Sequence, residues 1–485
     1  MRTMSRLAWA LCVGLWGCGA EVEKVDTGVL DTGSSTTTTE SVEATVTVSE
    51  NPNNTLSALV TVETPEEATV AIAFSSEETV EKRTGTSAPG MTHEFVVVGM
   101  RHKTVYTLNP VVTYTSGASG VVEGPSFETG RKPSGLPDMT VTVFDADAMQ
   151  PGITIVGPAG EGAGQAPEFF GLDEEGKVVW YYDAPDGPWQ SPDRDVKLMA
   201  DGNLLLKTQE GLRVINLAGD TIVDIGSEDV GYGMHHDVTM LPNGNFMALI
   251  QEERDVEVEA LGGLIRQVGD GLLEITPKGE VVWEWWSFDH LDTARFPTQL
   301  SLDNERGRYD WTHANSVAYR ASDASILVSF RHQDWVVKID HATGEVLWRA
   351  GEGGDFTLLD GQWFSGQHSA YFSADGRLSV YDNGNERSSG GQYSRGVIYQ
   401  LDESAMTAQE TFNYDVGAFT PFIGGHRVLQ NGNSLLCAGG VFEGEPAVHE
   451  VSAETGEAVW RLEVEDSLLY RAQRLPSFWN ETAVP

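Results

Sequence analysis

Basic residues are the first scarcity of this chain. Of its 485 residues only 31 are Lys or Arg, against 72 Asp or Glu, a formal net charge of −41. So acidic a chain excludes nucleic acid as a partner, because that binding rests on Lys and Arg neutralising phosphates. An anionic ligand gains no long-range steering from it and needs a local positive site. Cysteine is the second scarcity, with Cys12, Cys18 and Cys437 alone. Cys437 sits in the apolar stretch "SLLCAGG" and reads as a buried, inert thiol. Long apolar runs are also missing: the run at residues 7–16 is too short to span a bilayer. Helical periodicity of any length is absent. What is present is ordinary for a globular protein, 40% apolar and 21% charged residues. The length calls for at least two domains.

The short apolar run follows two arginines and no acid in "MRTMSRLAWALCVGLWGCGA", the pattern of a secretory signal. Its end, Leu15-Trp16-Gly17-Cys18, resembles the lipobox of bacterial lipoproteins. That resemblance implies a signal peptide over residues 1–17, a lipidated Cys18 and attachment to the bacterial cell envelope through the lipid alone. Gly19, standing where an aspartate would retain the protein at the inner membrane, points to the outer membrane. With Cys12 removed and Cys18 lipidated, no intrachain disulfide is expected. Residues 18–41 are polar, acidic and rich in Ser, Thr and Gly, as in a disordered tether.

Beyond the tether the chain reads as all-β. Residues 42–131 hold short alternating segments, "VEATVTVSE", "SALVTVET", "ATVAIAFS", "THEFVVVGM" and "TVYTLNPVVTY". They predict a small β-sandwich, and "KTVYTLNPVVTY" resembles the late strands of fibronectin type III domains, with Tyr106 as the corner tyrosine. His93 and His102 read as surface residues. A Pro/Gly linker, "RKPSGLPDM", follows.

From residue 140 to 485 the chain repeats a motif. Turns such as Glu175-Gly176-Lys177, Asn243-Gly244-Asn245 and Thr343-Gly344-Glu345 recur, each read as a tight two-residue hairpin. Apolar strands follow, often with Trp: "KVVWYY", "EVVWEWW", "EVLWRA", "EAVWRL". Regular short strands with an aromatic motif per unit predict a β-propeller. Six stretches qualify as its inner strands: "RDVKLMADGN", "HHDVTMLPNGN", "HANSVAYRAS", "QHSAYFSADG", "GHRVLQNGN" and "YRAQRLPS". The last lacks the rest of its blade, which residues 151–183 supply by pairing the two ends of the ring. The expectation is a six-bladed propeller after a fibronectin-III-like sandwich.

Four of the six inner strands carry a histidine. His236 and His368 each lie seven residues before their turns, at Asn243 and Asp375; His313 opens "HANSV"; His426 is two residues further along its strand. A single histidine in an apolar strand is usually a core residue. Four converging on one axis suggest a site. In this alignment His235 leans away and is structural. Imidazole, with a reference pKa near 6.5, is neutral and nucleophilic at neutral pH. Arg331 follows His313 by eighteen residues, one hairpin length, and brings a donor fork suited to sulfate or phosphate oxygens. His332, its neighbour, is expected to point away. The carboxylates at matching positions, Asp195 and Asp237, are too few for a metal site, and Asp237 faces the opposite side by alternation.

The motifs "HHDVTMLPNGN", "DWTHANSV", "SFRHQ" and "QHSAYFSADGRLSVYDNGNERSSGG", in this order, resemble those of bacterial arylsulfate sulfotransferases. The resemblance implies transfer of a sulfuryl group from an aryl sulfate to a phenolic acceptor, without nucleotide or other cofactor. His368 would be the nucleophile that forms a sulfohistidine. His236 and His313 would bind donor oxygens and handle protons, and Arg331 would stabilise the sulfuryl oxygens. Asn315, two residues after His313, would assist substrate binding; His426 joins the substrate-binding candidates by position alone. Two alternatives carry different expectations: a non-catalytic scaffold lipoprotein, and a metal-dependent propeller hydrolase sensitive to chelators.

Overall fold

The computed structural model describes residues 42–159, 166–187, 189, 193–296, 301–303, 307–387, 391–441, 444–475 and 478. The signal, the tether and Cys18 lie outside them. The described residues are all-β, and their α-helices are two four-residue turns, Ser227–Val230 and Ser287–His290.

The N-terminal strands join in one seven-stranded sheet. "SALVTVET" and "ATVAIAFS", read as two strands, are a single one, Ala58–Ser75. An irregularity between Glu63 and Ala68 lets its first half pair with Gly90–Val97 and its second with Val105–Tyr114. Both halves contribute to one core, with Val60, Val62, Ile72 and Phe74 fully buried. Tyr106 is buried there and its hydroxyl accepts the Arg101 N–H at 2.9 Å. His93 is buried as well, not on the surface, with Nδ1 held 2.7 Å from Ser87 Oγ; His102 is exposed. Asn54 Nδ2 donates to the Tyr181 carbonyl at 2.9 Å, and Arg101 pairs with Asp173. The sheet is thereby docked on the strands that follow.

Six further sheets follow, with four to six strands each. The recurring glycines that mark their turns, Gly176, Gly202, Gly219, Gly244, Gly279, Gly344, Gly376, Gly432 and Gly456, all have φ between 71° and 89°, where a Cβ is strained. In seven of these turns, as at 241–245, the outer residues are bonded across three residues: Leu241 N–H to Asn245 O and Gly244 N–H to Leu241 O. These seven hairpins are therefore three-residue turns closed by a left-handed glycine, not two-residue ones, and the turns at Gly344 and Gly456 are one residue longer.

All six stretches expected as inner strands lie at an edge of their sheets. That last strand pairs with Ile153–Ala159, in the order 178–182, 169–172, 153–159, 468–475. Met139–Phe144 in turn pairs with Ala458–Val464. The edge strands pack on one another in a closed circuit, 196–198 on 468–475, then 425–428, 368–372, 314–320 and 235–240, which returns to 204–207 beside 196–198. Cys437 is buried, and burial pushes its thiol up to about 12.

Candidate active site

Three edge strands open with a break in their pairing. Two residues, His236 and Asp237, are left without partners between His235 and Val238. The same happens at Asn315 between Ala314 and Ser316, and between His368 and Tyr371. At or beside each break a non-glycine residue adopts left-handed φ: His236 at 55°, His313 at 49°, Ser369 at 53°. Such geometry costs of order 1–3 kcal/mol per residue and persists where surrounding contacts impose it. Here it turns imidazoles toward one end of the circuit. Sheet partners add groups from the adjoining strand ends, Arg331 after Ser325–Phe330 and Asn383 after Leu378–Asp382.

His368 is buried at the centre of the polar contacts, 2% exposed. Its Nδ1 lies 2.7 Å from Asn383 Oδ1. Asn383 Nδ2 donates to the carbonyls of Thr420 at 2.6 Å and Ile423 at 2.9 Å, which only the amide nitrogen can do. The oxygen therefore faces the imidazole, Nδ1 carries the proton, and the lone pair is on Nε2. Burial and then the Arg331 guanidinium hold the His368 pKa well below that of ordinary imidazole, outweighing the Asn383 bond. The ring is a neutral base with one free nitrogen.

Arg331 is fixed from several sides. Its backbone N–H meets the His313 carbonyl at 3.1 Å, as the hairpin length predicts. Nη1 donates to His332 Nε2 at 2.7 Å and Nη2 to the Pro421 carbonyl at 2.9 Å. Nε is buried without a partner. His332 does not point away: residues Arg331–Gln333 form a 3₁₀ turn, so strand alternation does not apply. Its ring stacks on His313, with centroids 4.5 Å apart, and its Nδ1 donates to the Asp310 carbonyl at 2.6 Å. Burial and the neighbouring His313 lower the His332 pKa to about 4.

His236 and His313 meet edge to face at 4.9 Å. His313 Nδ1 is bonded to Asp310 Oδ2 at 2.5 Å, leaving Nε2 free. Burial pushes the Asp310 carboxyl up, but His313 and His332 outweigh it and hold it below the usual carboxylate range. Burial keeps His236 neutral, at a pKa of about 3, against the pull of Asp193. His235, expected to lean away, faces His236 instead, Nδ1 to Nδ1 at 2.9 Å.

Asn315 is fully buried. Its Nδ2 donates to the Gln367 carbonyl, next to His368, at 2.7 Å, and its Oδ1 has no partner. His426 is not brought into the cluster. Its Nδ1 lies 3.0 Å from Ser379 Oγ and its Nε2 2.9 Å from Ser434 Oγ, and burial lowers its pKa to about 4. Both nitrogens are satisfied between two sheets, the position of a structural histidine rather than a substrate ligand.

Beneath the histidines lies a buried ion cluster. Arg471 Nη1 is 2.9 Å from Asp195 and 3.2 Å from Asp237, and Lys197 bonds Asp237 from the other side. Asp237 faces away from the imidazoles, as alternation predicts, and serves this cluster.

Asp310, His313 and His332 place ligand atoms within 4.8 Å of one another. They do not fit a metal. His332 Nε2 is occupied by the Arg331 guanidinium and Nδ1 by a carbonyl, and a fixed positive charge stands beside the would-be ligands. Sequence reasoning missed Asp310, His332, His235 and Asn383. Asp310 stands three residues before His313, and "YDNGNER" contained Asn383; those spacings were the available signals.

Residues 140–471 match the profile of the arylsulfotransferase (ASST) family. The chain is 25% identical over 324 residues to the arylsulfate sulfotransferase AssT of Escherichia coli O6:H1, covering 51% of this chain and 53% of that protein. It is 29% identical over 152 residues to the arylsulfate sulfotransferase AssT of Lelliottia amnigena, covering 24% of this chain and 25% of that one. The chain thus spans about half the length of the first of these relatives and a quarter of the second. A protein of unknown function from Bacteroides caccae aligns in structure with a TM-score of 0.43 and 16% identity, covering 66% of this chain and 98% of its own.

Proposed function

The chain belongs to the arylsulfotransferase family, and from that premise we propose that it moves a sulfuryl group from an aryl sulfate to a phenolic acceptor through a covalent intermediate on His368. One observation carries the reading: a buried, neutral imidazole whose Nδ1–H is held by Asn383 and whose free Nε2 shares its surroundings with Arg331. A neutral nitrogen nucleophile beside a fixed cation is what attack on an anionic sulfate ester requires. The cation attracts the ester and lowers the population of protonated, non-nucleophilic imidazole. Arg331 balances the charge on the sulfuryl oxygens as the S–O bond breaks, and His236 and His313 line the same end of the site. The first phenol departs, the acceptor enters, and the sulfuryl group leaves Nε2 for its oxygen. The kinetics are ping-pong.

The frame belongs to the same proposal. We read the six sheets over residues 140–485 as six blades of a propeller, supported by the circuit of edge strands and by the pairing of Leu468–Leu475 with Ile153–Ala159. The sheet over residues 42–131 is read as a fibronectin-III-like domain, supported by the Tyr106 contact. Cys18 is read as a lipid anchor in the cell envelope; palmitate labelling that survives Cys18→Ala would remove that part.

The test of the activity is incubation of the protein with a chromogenic aryl sulfate and a phenol, without nucleotide. Acceptor-dependent release of the donor phenol, abolished in His368→Ala, is the expected result. Activity that survives the substitution removes His368 as nucleophile. Free sulfate released without acceptor makes the protein a sulfatase.

A further inference from the structure

His235 and His236 are adjacent in sequence, yet their rings face each other across the bend that the left-handed φ of His236 makes. Their Nδ1 atoms stand 2.9 Å apart, a distance at which one proton is shared between them. On the far side, His235 Nε2 is buried 3.2 Å from Asp270 Oδ1, at ion-pair distance with no hydrogen bond formed. Asp270 itself is pinned: its other oxygen accepts from Thr312 Oγ1 at 2.5 Å and from the Ala314 N–H at 2.7 Å. A line of polar contacts therefore runs from a fixed, buried carboxylate through two imidazoles to the ring beside His313.

We propose that Asp270, His235 and His236 form a proton relay to the leaving phenol, in which His236 is the acid and His235 a positioning residue that recharges it. The inference rests on the sulfotransferase reading. The resting arrangement follows from the surroundings. Asp270 and Asp193 face His235 and favour its charged form against the cost of burial, raising its pKa. His236 is kept neutral by burial. In the proposed resting state His235 holds both protons, with Nε2–H toward Asp270 and Nδ1–H toward His236 Nδ1. His236 then carries its own proton on Nε2. His313 and Asp193 also face His236, and Lys207 interacts with Asp193.

The step balances. The His368 Nε2 lone pair forms the N–S bond as the S–O(aryl) bond breaks. His236 gives its Nε2 proton to the phenolate oxygen and takes the Nδ1 proton of His235, which becomes neutral beside Asp270. The positive charge lost by His235 appears on the sulfated imidazole ring of His368. In the second half the acceptor's hydroxyl proton enters at His236 Nε2, the Nδ1 proton returns to His235, and the S–N bond breaks as the new S–O bond forms.

A relay matters in proportion to how much the leaving phenolate needs its proton. In the full-length protein, His235→Leu should slow sulfuryl transfer from phenyl sulfate about a hundredfold, the usual contribution of a positioned acid, and from 4-nitrophenyl sulfate less than about threefold. Asp270→Asn, which keeps the shape, should show the same split at smaller amplitude. Equal losses for the two donors, or none, overturn the relay and make His235 structural. A third readout needs no variant: with phenyl sulfate, the wild-type rate in mixtures of H₂O and D₂O should bow below a straight line, as two protons in flight require, and a straight line overturns the relay. Wild-type protein that transfers from neither donor counts against the sulfotransferase reading instead.

Discussion

Asn383 gives the most direct access to the site's chemistry, because it sets which nitrogen of His368 is free. In Asn383→Leu the Nδ1–H loses its acceptor while the volume is nearly kept. A buried donor left unmade costs about 1–3 kcal/mol. The productive tautomer is penalised by that amount, and each 1.4 kcal/mol is about tenfold in rate, so the loss should be roughly ten- to a hundredfold. The assay is the rapid release of phenol from a chromogenic aryl sulfate in the absence of acceptor, which reads His368 sulfation alone. Asn383 also anchors the Thr420 and Ile423 carbonyls, so loop loosening needs a control. Ser394→Ala serves: Ser394 Oγ holds the Asn383 carbonyl at 2.8 Å and the Thr420 N–H at 2.9 Å without touching His368. Its burst should stay within about threefold of wild type, because the hydrogen bonds it loses lie away from the chemistry. A burst as fast in Asn383→Leu as in wild type, or equal losses in the two variants, would refute the tautomer argument.

Arg331→Lys keeps the charge but cannot bond His332 and Pro421 together, so kcat/KM for the aryl sulfate should fall by about 10²–10³; a change under fivefold, measured by steady-state kinetics, contradicts the role. Arg471→Met leaves Asp195 and Asp237 buried with Lys197 as their remaining cation and should cost about 3–5 kcal/mol in urea unfolding. Acid should destabilise the fold. Burial lowers the pKa of His236, His332, His368, His426 and His449, so below pH 6.5 the unfolded chain takes up protons that the folded one refuses. Each such group removes about 1.4 kcal/mol per pH unit below 6.5, until its folded pKa is reached. His235 acts oppositely: its raised pKa gives stability that is present below 6.5 and lost as pH rises through the folded value. The urea midpoint should fall between pH 7 and pH 5; an unchanged or rising midpoint refutes the sum.

Repetition made much of the frame readable. Nine glycines in Gly-centred turns, one aromatic per unit and the alternation of apolar residues located all six edge strands. His236, His313 and His368 were readable because each stands near the start of an edge strand, and Arg331 because it follows the strand paired with that of His313. The details failed where the backbone leaves strand geometry. Alternation assigned His235 and His332 to the wrong side, because the chain around them is a bulge and a 3₁₀ turn. The spacing of seven that matched His236 to His368 is not the pairing register: His368 opens its break where His235 opens the other. His426 obeyed the pattern and still found serine partners. Asn383 and Asp310 lie in connecting segments, whose side-chain directions no periodicity encodes.

The strand Leu468–Leu475 ties distant parts of the chain to the floor of the site. The hydrogen bond from Arg474 to the Gln150 carbonyl spans 324 residues, and Arg471 in the same strand neutralises Asp195 and Asp237 under the imidazoles. Contacts so distant in sequence are slow to form. Damage to this one strand should therefore reach the imidazoles in two ways, through the lost pairing of Leu468–Leu475 with Ile153–Ala159 and through the lost counter-charge to Asp195 and Asp237.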